Sequence, residues 1–481
     1  MDHLGFDVYE KSVNLIDSIK VYMAKDGEET VIITSSPEGK AAAHLGFSGR
    51  DLGSGKFRAP LSHENANVLR KLFPFTAPVR GLSNPRSFGL GDRLGIATPG
   101  HIELFKNRGI FPVFAQQSIR ELNLTSRSYE DVLDAVSFAV FREAYKKGFG
   151  ADGDHLKTAE DVENALSLGY SMITLDCSEH IKNDVTFENA PALTGTFAEK
   201  YLNKNFNIEE GITLVFSESE LRQCTAIYGE AIKFAAEMYM RFFASGKYQA
   251  DFEISIDETV SVTTPLQHFF VARELLDAGV LFATIAPRFC GEFQKGIDYI
   301  GDIAQFEKEI KVHAAIARYF GYKLSIHSGS DKFSAFPFIG RETRGRFHVK
   351  TAGTNWLEAM RVVAMADPDL YREIHSYALS AFDEARKYYH VTTDLSKIPD
   401  LLKLKDEELA NIFENRDGRQ LIHITYGLIL GRKNPGGSFC YRDRLYKLWK
   451  DHEEEYNRAL VKHIGKHLEL LGCLAANCEA T

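Results

Sequence analysis

The chain has 481 residues, 44% hydrophobic and 26% charged, an ordinary globular composition with length enough for a large core. A formal net charge of −9, a pI of about 6.0 and scattered Lys and Arg exclude the basic footprint of a nucleic-acid or anionic-membrane binder. No stretch reaches the ~20 apolar residues of a spanning helix, and the opening residues MDHLGFDVYE carry neither the basic nor the apolar region of a leader.

Residues 1–80 predict a small α/β cap, with a hairpin of Ile19–Ala24 and Glu29–Thr34 joined through Lys25-Asp-Gly-Glu. From 81 to 366 one theme repeats eight times: a short apolar run ends in polar residues or Gly, and a helical pattern follows. The runs are Arg86–Arg93, Ile110–Ser118, Gly148–His155, Ser171–Cys177, Asp251–Glu258, Leu281–Arg288, Tyr322–Ser328 and Arg346–Ala352. Helices are expected over Thr125–Lys147, Thr158–Leu168, Thr263–Ala278, Ile303–Phe320 and Thr354–Met365. Residues 178–245 form a largely helical insertion ending in the amphipathic run Ser219–Ala244. Residues 367–481 read as a helical extension, clearest over Leu401–Phe413 and Tyr441–Leu471, with a turn at Asn434-Pro-Gly-Gly. Strands alternating with helices mean a parallel sheet, and eight of them predict a closed (β/α)₈ barrel of the TIM type; a doubly wound open sheet is the competitor.

The six cysteines are dispersed without a CxxC pair, so they read as reduced thiols, and a cytoplasmic enzyme is expected. The Asn123-Leu-Thr125 sequon is then accidental.

In barrels, chemistry is done at the C-terminal strand ends. Those ends carry Asp92, Gln116 and Gln117, Asp154 and His155, Asp176, Asp257 and Glu258, Arg288, His327, and His348 with Lys350. His155, His327 and His348 are candidate ligands for a divalent metal, with Zn, Mn, Ni and Co not distinguished; the bland reading is three buried, hydrogen-bonded imidazoles. Along the fifth run Glu253, Ser255 and Asp257 share one face and Ile254 and Ile256 the other, which aims Asp257 inward, while Glu258 lies where the strand opens into its loop. Asp154, Asp257 and Glu258 are the candidate proton carriers, weighed against helix caps and ion-pair partners. Lys157, Arg288 and Lys350 could pair with a substrate carboxylate, and Asp92 and Gln116 with sugar hydroxyls. Gly89-Leu-Gly91-Asp-Arg-Leu-Gly95 invites a dinucleotide reading, but the next strand ends in Ala-Gln-Gln-Ser rather than an acid, so a glycine-rich turn suffices. Gly53-Ser-Gly55-Lys56 lacks the spacing and the Ser/Thr of a phosphate loop.

The run RSFGLGDRLGIATPGHI from Arg86, with GADGDHLKT from Gly150, SIDET from Ser255 and KLSIHSGSDK from Lys323, resembles the tagaturonate epimerase family over essentially the whole chain. The resemblance implies a metal-dependent interconversion of D-tagaturonate and D-fructuronate at C4, and it extends to neutral ketohexoses such as fructose and tagatose as a second substrate class. Matched to these blocks, it implies proton transfer by Asp154 or Glu258 and metal binding by His155, His327 and His348. A metal-dependent ketose aldolase or uronate isomerase on the same barrel, and a non-catalytic sugar-binding module, are the alternatives. Whether the C-terminal helices pack on the barrel or build a homo-oligomer is left open.

Overall fold

The computed structural model describes residues 6–193 and 195–474; the first five residues and Cys478 lie outside them. Eight strands form the barrel: β1 (Arg86–Gly91), β2 (Phe111–Ser118), β3 (Gly150–Leu156), β4 (Met172–Asp176), β5 (Asp251–Ile256), β6 (Thr284–Pro287), β7 (Lys323–Ile326) and β8 (Phe347–Ala352). Each pairs in parallel with its neighbours in chain order, and β8 closes onto β1 with Phe347 opposite Arg86. The closed order rules out the open doubly wound sheet.

Alternation decides what each strand faces. Phe88 and Leu90, Ile254 and Ile256, Leu324 and Ile326, and Phe347 and Val349 are fully or almost fully buried in the main core. Their alternating partners Ser87, Gly89, Glu253, Ser255, Ser325, His348 and Lys350 are the small, polar or ionised set, with Asp152 and Thr174 on β3 and β4. The barrel interior is therefore polar. Gly89 shows how tightly it is filled, since an added Cβ would lie 1.8 Å from Gln116 Oε1 of β2. The glycine run on β1 thus makes room for a neighbour's side chain.

The expected helix Thr125–Lys147 forms over Tyr129–Arg142, and a separate short helix, Ile119–Thr125, precedes it. Ser126 turns left-handed at φ 55°, and Ser128 restarts the chain in a reciprocal capping box with Asp131. The insertion ends in the helix Glu218–Phe242, and the hairpin pairs Ile19–Asp26 with Glu29–Ser35. The stretch expected as a helix over Leu401–Phe413 forms 3₁₀ turns, Leu401–Lys403 and Asp406–Glu414. Tyr441–Leu471 divides at His452 into Arg442–Asp451 and Glu453–Leu470.

The C-terminal extension packs on its own barrel. Trp356 Nε1 donates to Ile422 O (2.7 Å) and Trp449 Nε1 to Ala359 O (2.9 Å). Buried Arg93, just past β1, pairs with Glu121 (2.9 Å), donates to His423 O (3.0 Å) and lies 3.7 Å from the centre of the Tyr426 ring. Cys177, Cys224 and Cys473 are buried thiols. Among the described residues no helix is long and apolar enough to cross a membrane.

Candidate active site

β3 and β5 carry most of the site. Asp152 and Asp154 share the inward face of β3, and alternation would turn His155 outward. His155 instead adopts a left-handed backbone (φ 56°), rare for a residue with a Cβ, and the β3–β4 register shifts beside it. Asp154 and His155 thereby reach the same site, and His155 Nδ1 donates to Asp154 Oδ1 (2.7 Å). On β5, Ser255 Oγ donates to Asp257 Oδ1 (2.7 Å), which fixes the carboxylate just past the strand end.

His327 follows β7 between two acids. Its Nε2 donates to Glu253 Oε1 (2.8 Å). Its buried Nδ1 lies 3.0 Å from Asp257 Oδ1 without an aligned hydrogen bond. The His155 and His327 rings are 4.8 Å apart, and His155, Asp257 and His327 each offer a ligand atom, all within 4.8 Å of one another. The Asp154 carboxylate fixes a proton on His155 Nδ1 and leaves Nε2 to face the site, whereas His327 Nδ1 would have to give up the proton that Asp257 favours in order to take a metal. A carboxylate behind each imidazole is the support that metal-binding histidines use. The donor set fits a divalent metal, with an orphaned buried nitrogen among its atoms.

Lys350 lies at the centre of the acids. Its ammonium is 2.7 Å from Asp152 Oδ2, contacts Asp154, is 3.3 Å from Glu253 Oε1, and donates to Thr174 Oγ1 (2.6 Å). Burial opposes ionisation of every acid here, yet Lys350 with His155 holds Asp154 well below the carboxylate range, and Lys350 with His327 does the same for Glu253. For Asp152 burial and its acidic neighbours prevail over Lys350, pushing it up to about 6. Burial is likewise outweighed at Asp257, drawn down to about 2 by His327 and His155, and at His327, pushed up to about 10 by Asp257 and Glu253. Asp152, Asp154, Glu253 and Asp257 face the Lys350 ammonium and the His327 imidazolium, a set in which a bound metal cation would take the place of the His327 proton.

The surrounding pocket, about 60 Å³, is lined by Gln116, Arg120, Glu258, Lys295 and Tyr389 together with the metal-type triad and Lys350. It adjoins a second cavity of about 330 Å³ that shares Asp257, Glu258, His327 and Ser328. Glu258 stands at the rim with its side chain 40% exposed, 3.6 Å from Arg120.

Several sequence-level assignments change. His348 does not join His155 and His327. It lies two residues down β8 from Lys350, one layer deeper, with Nδ1 2.9 Å from Ser87 Oγ, and burial holds it neutral at about 3. Asp257 faces inward at the end of β5, grouped with His155 and His327. Lys350 is committed to protein partners and has no hydrogen left for a substrate carboxylate. Lys157 is engaged by Glu179 (3.2 Å) and Asp176 (3.6 Å) away from the pocket. Asp92 accepts from the backbone N–H of Leu94 and of Ala97 and so caps a turn. Arg288 lines the adjoining cavity. Gln116 is in place, its Nε2 donating to Thr351 O (3.1 Å).

The sequence reading missed Asp152, Arg120, Lys295 and Tyr389. Asp152 had a signal, sitting two residues before Asp154 on the same face. Tyr389, on the chain beyond helix Pro368–Ala385, and Lys295, on the loop after β6, had none.

A second cluster, Asp331, His463 and His467, borders another cavity, of about 840 Å³. It is closed by its own bonds. His467 Nε2 accepts from the Asp331 backbone N–H (2.9 Å), its Nδ1 donates to His463 O (2.9 Å), and Arg419 holds Asp331 at 2.8 Å.

Fold and site together define an enzyme working at the mouth of a (β/α)₈ barrel. A family model for tagaturonate epimerase matches residues 9–471. The chain is 44% identical to a tagaturonate/fructuronate epimerase of Thermotoga maritima, with 98% of each chain covered. The fructuronate-tagaturonate epimerase of Cohnella laeviribosi, solved in native and glycerol-complexed forms, is 48% identical and superposes with a TM-score of 0.93, covering 98% of this chain and 97% of that one. The chain belongs to the tagaturonate epimerase family and is an isomerase of the epimerase class.

Proposed function

We propose that this chain interconverts D-tagaturonate and D-fructuronate by epimerisation at C4, with a divalent metal held by His155, Asp257 and His327. The observation that carries the metal is the convergence of these three ligand atoms, each imidazole backed by a carboxylate. The substrate pair is supported by the activity printed for the relatives from T. maritima and C. laeviribosi. A metal bound there would act as a Lewis acid for developing oxyanion charge.

The acids divide by environment. Asp154 is spent on His155 and Lys350, and Asp257 faces His327, which leaves Glu258 as the pocket carboxylate with freedom to move a proton. C4 lies one carbon beyond the position that the C2 ketone acidifies, so cleavage of the C3–C4 bond is the accessible route. Glu258 takes the C4 hydroxyl proton, the C3–C4 electron pair moves through C3 onto the C2 carbonyl oxygen, and C4 becomes an aldehyde. Rotation about C4–C5 presents the other aldehyde face. C3 then re-adds, and Glu258 returns the proton to the C4 oxygen. Gln116 is placed to hold a hydroxyl. Turnover of tagaturonate in heavy water tests both levels. Fructuronate without deuterium at C4 is expected; deuterium at C4 overturns bond cleavage, and three-carbon fragments or an aldose as the final product overturn the epimerase.

A further inference from the structure

Resting on the epimerase reading above, we infer that Lys295, with Arg120 beside it, is the anchor for the substrate carboxylate and sets the preference for ketohexuronates over neutral ketohexoses. Three Lys and Arg side chains line the pocket: Lys350, Arg120 and Lys295. Lys350 is neutralised within the protein. Arg120 is loosely held, donating to Tyr388 O (3.0 Å), with Glu258 at 3.6 Å and the Tyr389 ring centre at 5.3 Å.

Lys295 differs from both. Lys295 is half-buried, and its one side-chain hydrogen bond among the described residues is a long one to Ser328 Oγ (3.4 Å). Glu121 and Glu258 act on it only at a distance, and burial draws its proton affinity down. A partly desolvated ammonium with no carboxylate in contact is left under-satisfied, and an incoming carboxylate relieves this with a charge-assisted hydrogen bond.

The loop bearing Lys295 is braced to hold the charge there. Buried Lys332 donates to the carbonyls of Gln294 (2.8 Å) and Ile297 (2.7 Å), Arg419 Nε donates to Gly296 O (2.9 Å), and Gln420 Nε2 to Lys295 O (3.3 Å). Two of these braces come from the helix Arg416–Gly431, so the C-terminal extension positions a pocket cation. Ser328 directly follows His327, which places Lys295 beside the metal-type triad. A chain with its ketone end at the triad carries its carboxylate at the far end, C6, so a single bound pose needs an anion site near, but apart from, the metal ligands.

The test compares wild type, Lys295→Met and Lys295→Arg by tagaturonate kinetics, metal content, and calorimetric binding of gluconate against glucitol, a carboxylate and alcohol pair that needs no turnover. In Lys295→Met the KM for tagaturonate should rise about 10- to 100-fold, the loss of one charge-assisted bond, with kcat changed less than about threefold. The preference for gluconate over glucitol should vanish, metal content should stay the same, and Lys295→Arg should recover most of the KM. A gluconate preference absent from wild type or retained in Lys295→Met overturns the anchor, as does a collapse of kcat at constant KM, which would make Lys295 a proton carrier. If wild type prefers gluconate through Lys295 yet leaves tagaturonate unchanged, the anchor stands and the epimerase reading falls.

Discussion

Replacing Lys350 with Met separates a structural counter-charge from a substrate ligand. The lysine is 3% exposed and faces Asp152, Asp154 and Glu253, whose side chains are equally hidden from water. Methionine fills similar volume but leaves three buried carboxylates without their ammonium. Breaking a buried ion pair from one side costs about 3–5 kcal/mol. At about 2.1 cal/mol/K per residue, the unfolding entropy of a chain this size is roughly 1 kcal/mol/K, so the loss corresponds to about 3–5 °C in the thermal midpoint. The measurement is thermal unfolding of chelator-treated wild type and Lys350→Met at pH 7.5, alongside steady-state kinetics. The midpoint should fall by that amount and kcat should drop, because Asp154 and Glu253 no longer hold His155 and His327 in place. An unchanged midpoint with a raised KM alone would refute the reasoning and return Lys350 to the role of substrate ligand.

Asp331 is buried, which opposes ionisation, yet Arg419 and His463, with His467 behind them, keep it ionised well below the ordinary carboxylate range. Its stabilising contribution is complete above the unfolded value of about 3.9 and is lost as pH falls toward the folded one. The thermal midpoint of wild type should therefore fall more steeply between pH 5 and pH 3 than that of Asp331→Asn; parallel slopes would contradict this. Gly89→Ala should displace Gln116 and lower kcat/KM about 10- to 100-fold while the protein remains folded by circular dichroism. Ser128→Ala removes the cap restarting helix Tyr129–Arg142 and should cost about 1 kcal/mol in urea unfolding with kcat unchanged.

Much of the architecture was legible because periodicity reports burial. All eight strands lie where apolar runs end in polar residues, and the alternation on β5 correctly turned Glu253, Ser255 and Asp257 to one face. Residue order is a poorer guide past a strand end. His155 reaches the site through a left-handed residue that alternation forbids, while His348 obeys alternation and stays one layer too deep. Lys295 was invisible because its position depends on braces from residues 332, 419 and 420, and no local pattern encodes such contacts. The helix break at His452 was hidden inside a continuous helical pattern, since a single turn residue leaves the flanking periodicity intact.

The central claim, that His155, Asp257 and His327 hold a catalytic metal, is tested most directly by elemental analysis of purified wild type, His327→Gln and His348→Gln, each paired with tagaturonate turnover before and after chelation. The account predicts about one divalent metal per chain in wild type and in His348→Gln, near-complete loss of metal and turnover in His327→Gln, and turnover in chelated wild type restored by adding metal back. Full metal occupancy in His327→Gln, or undiminished turnover in stringently chelated wild type, would contradict it.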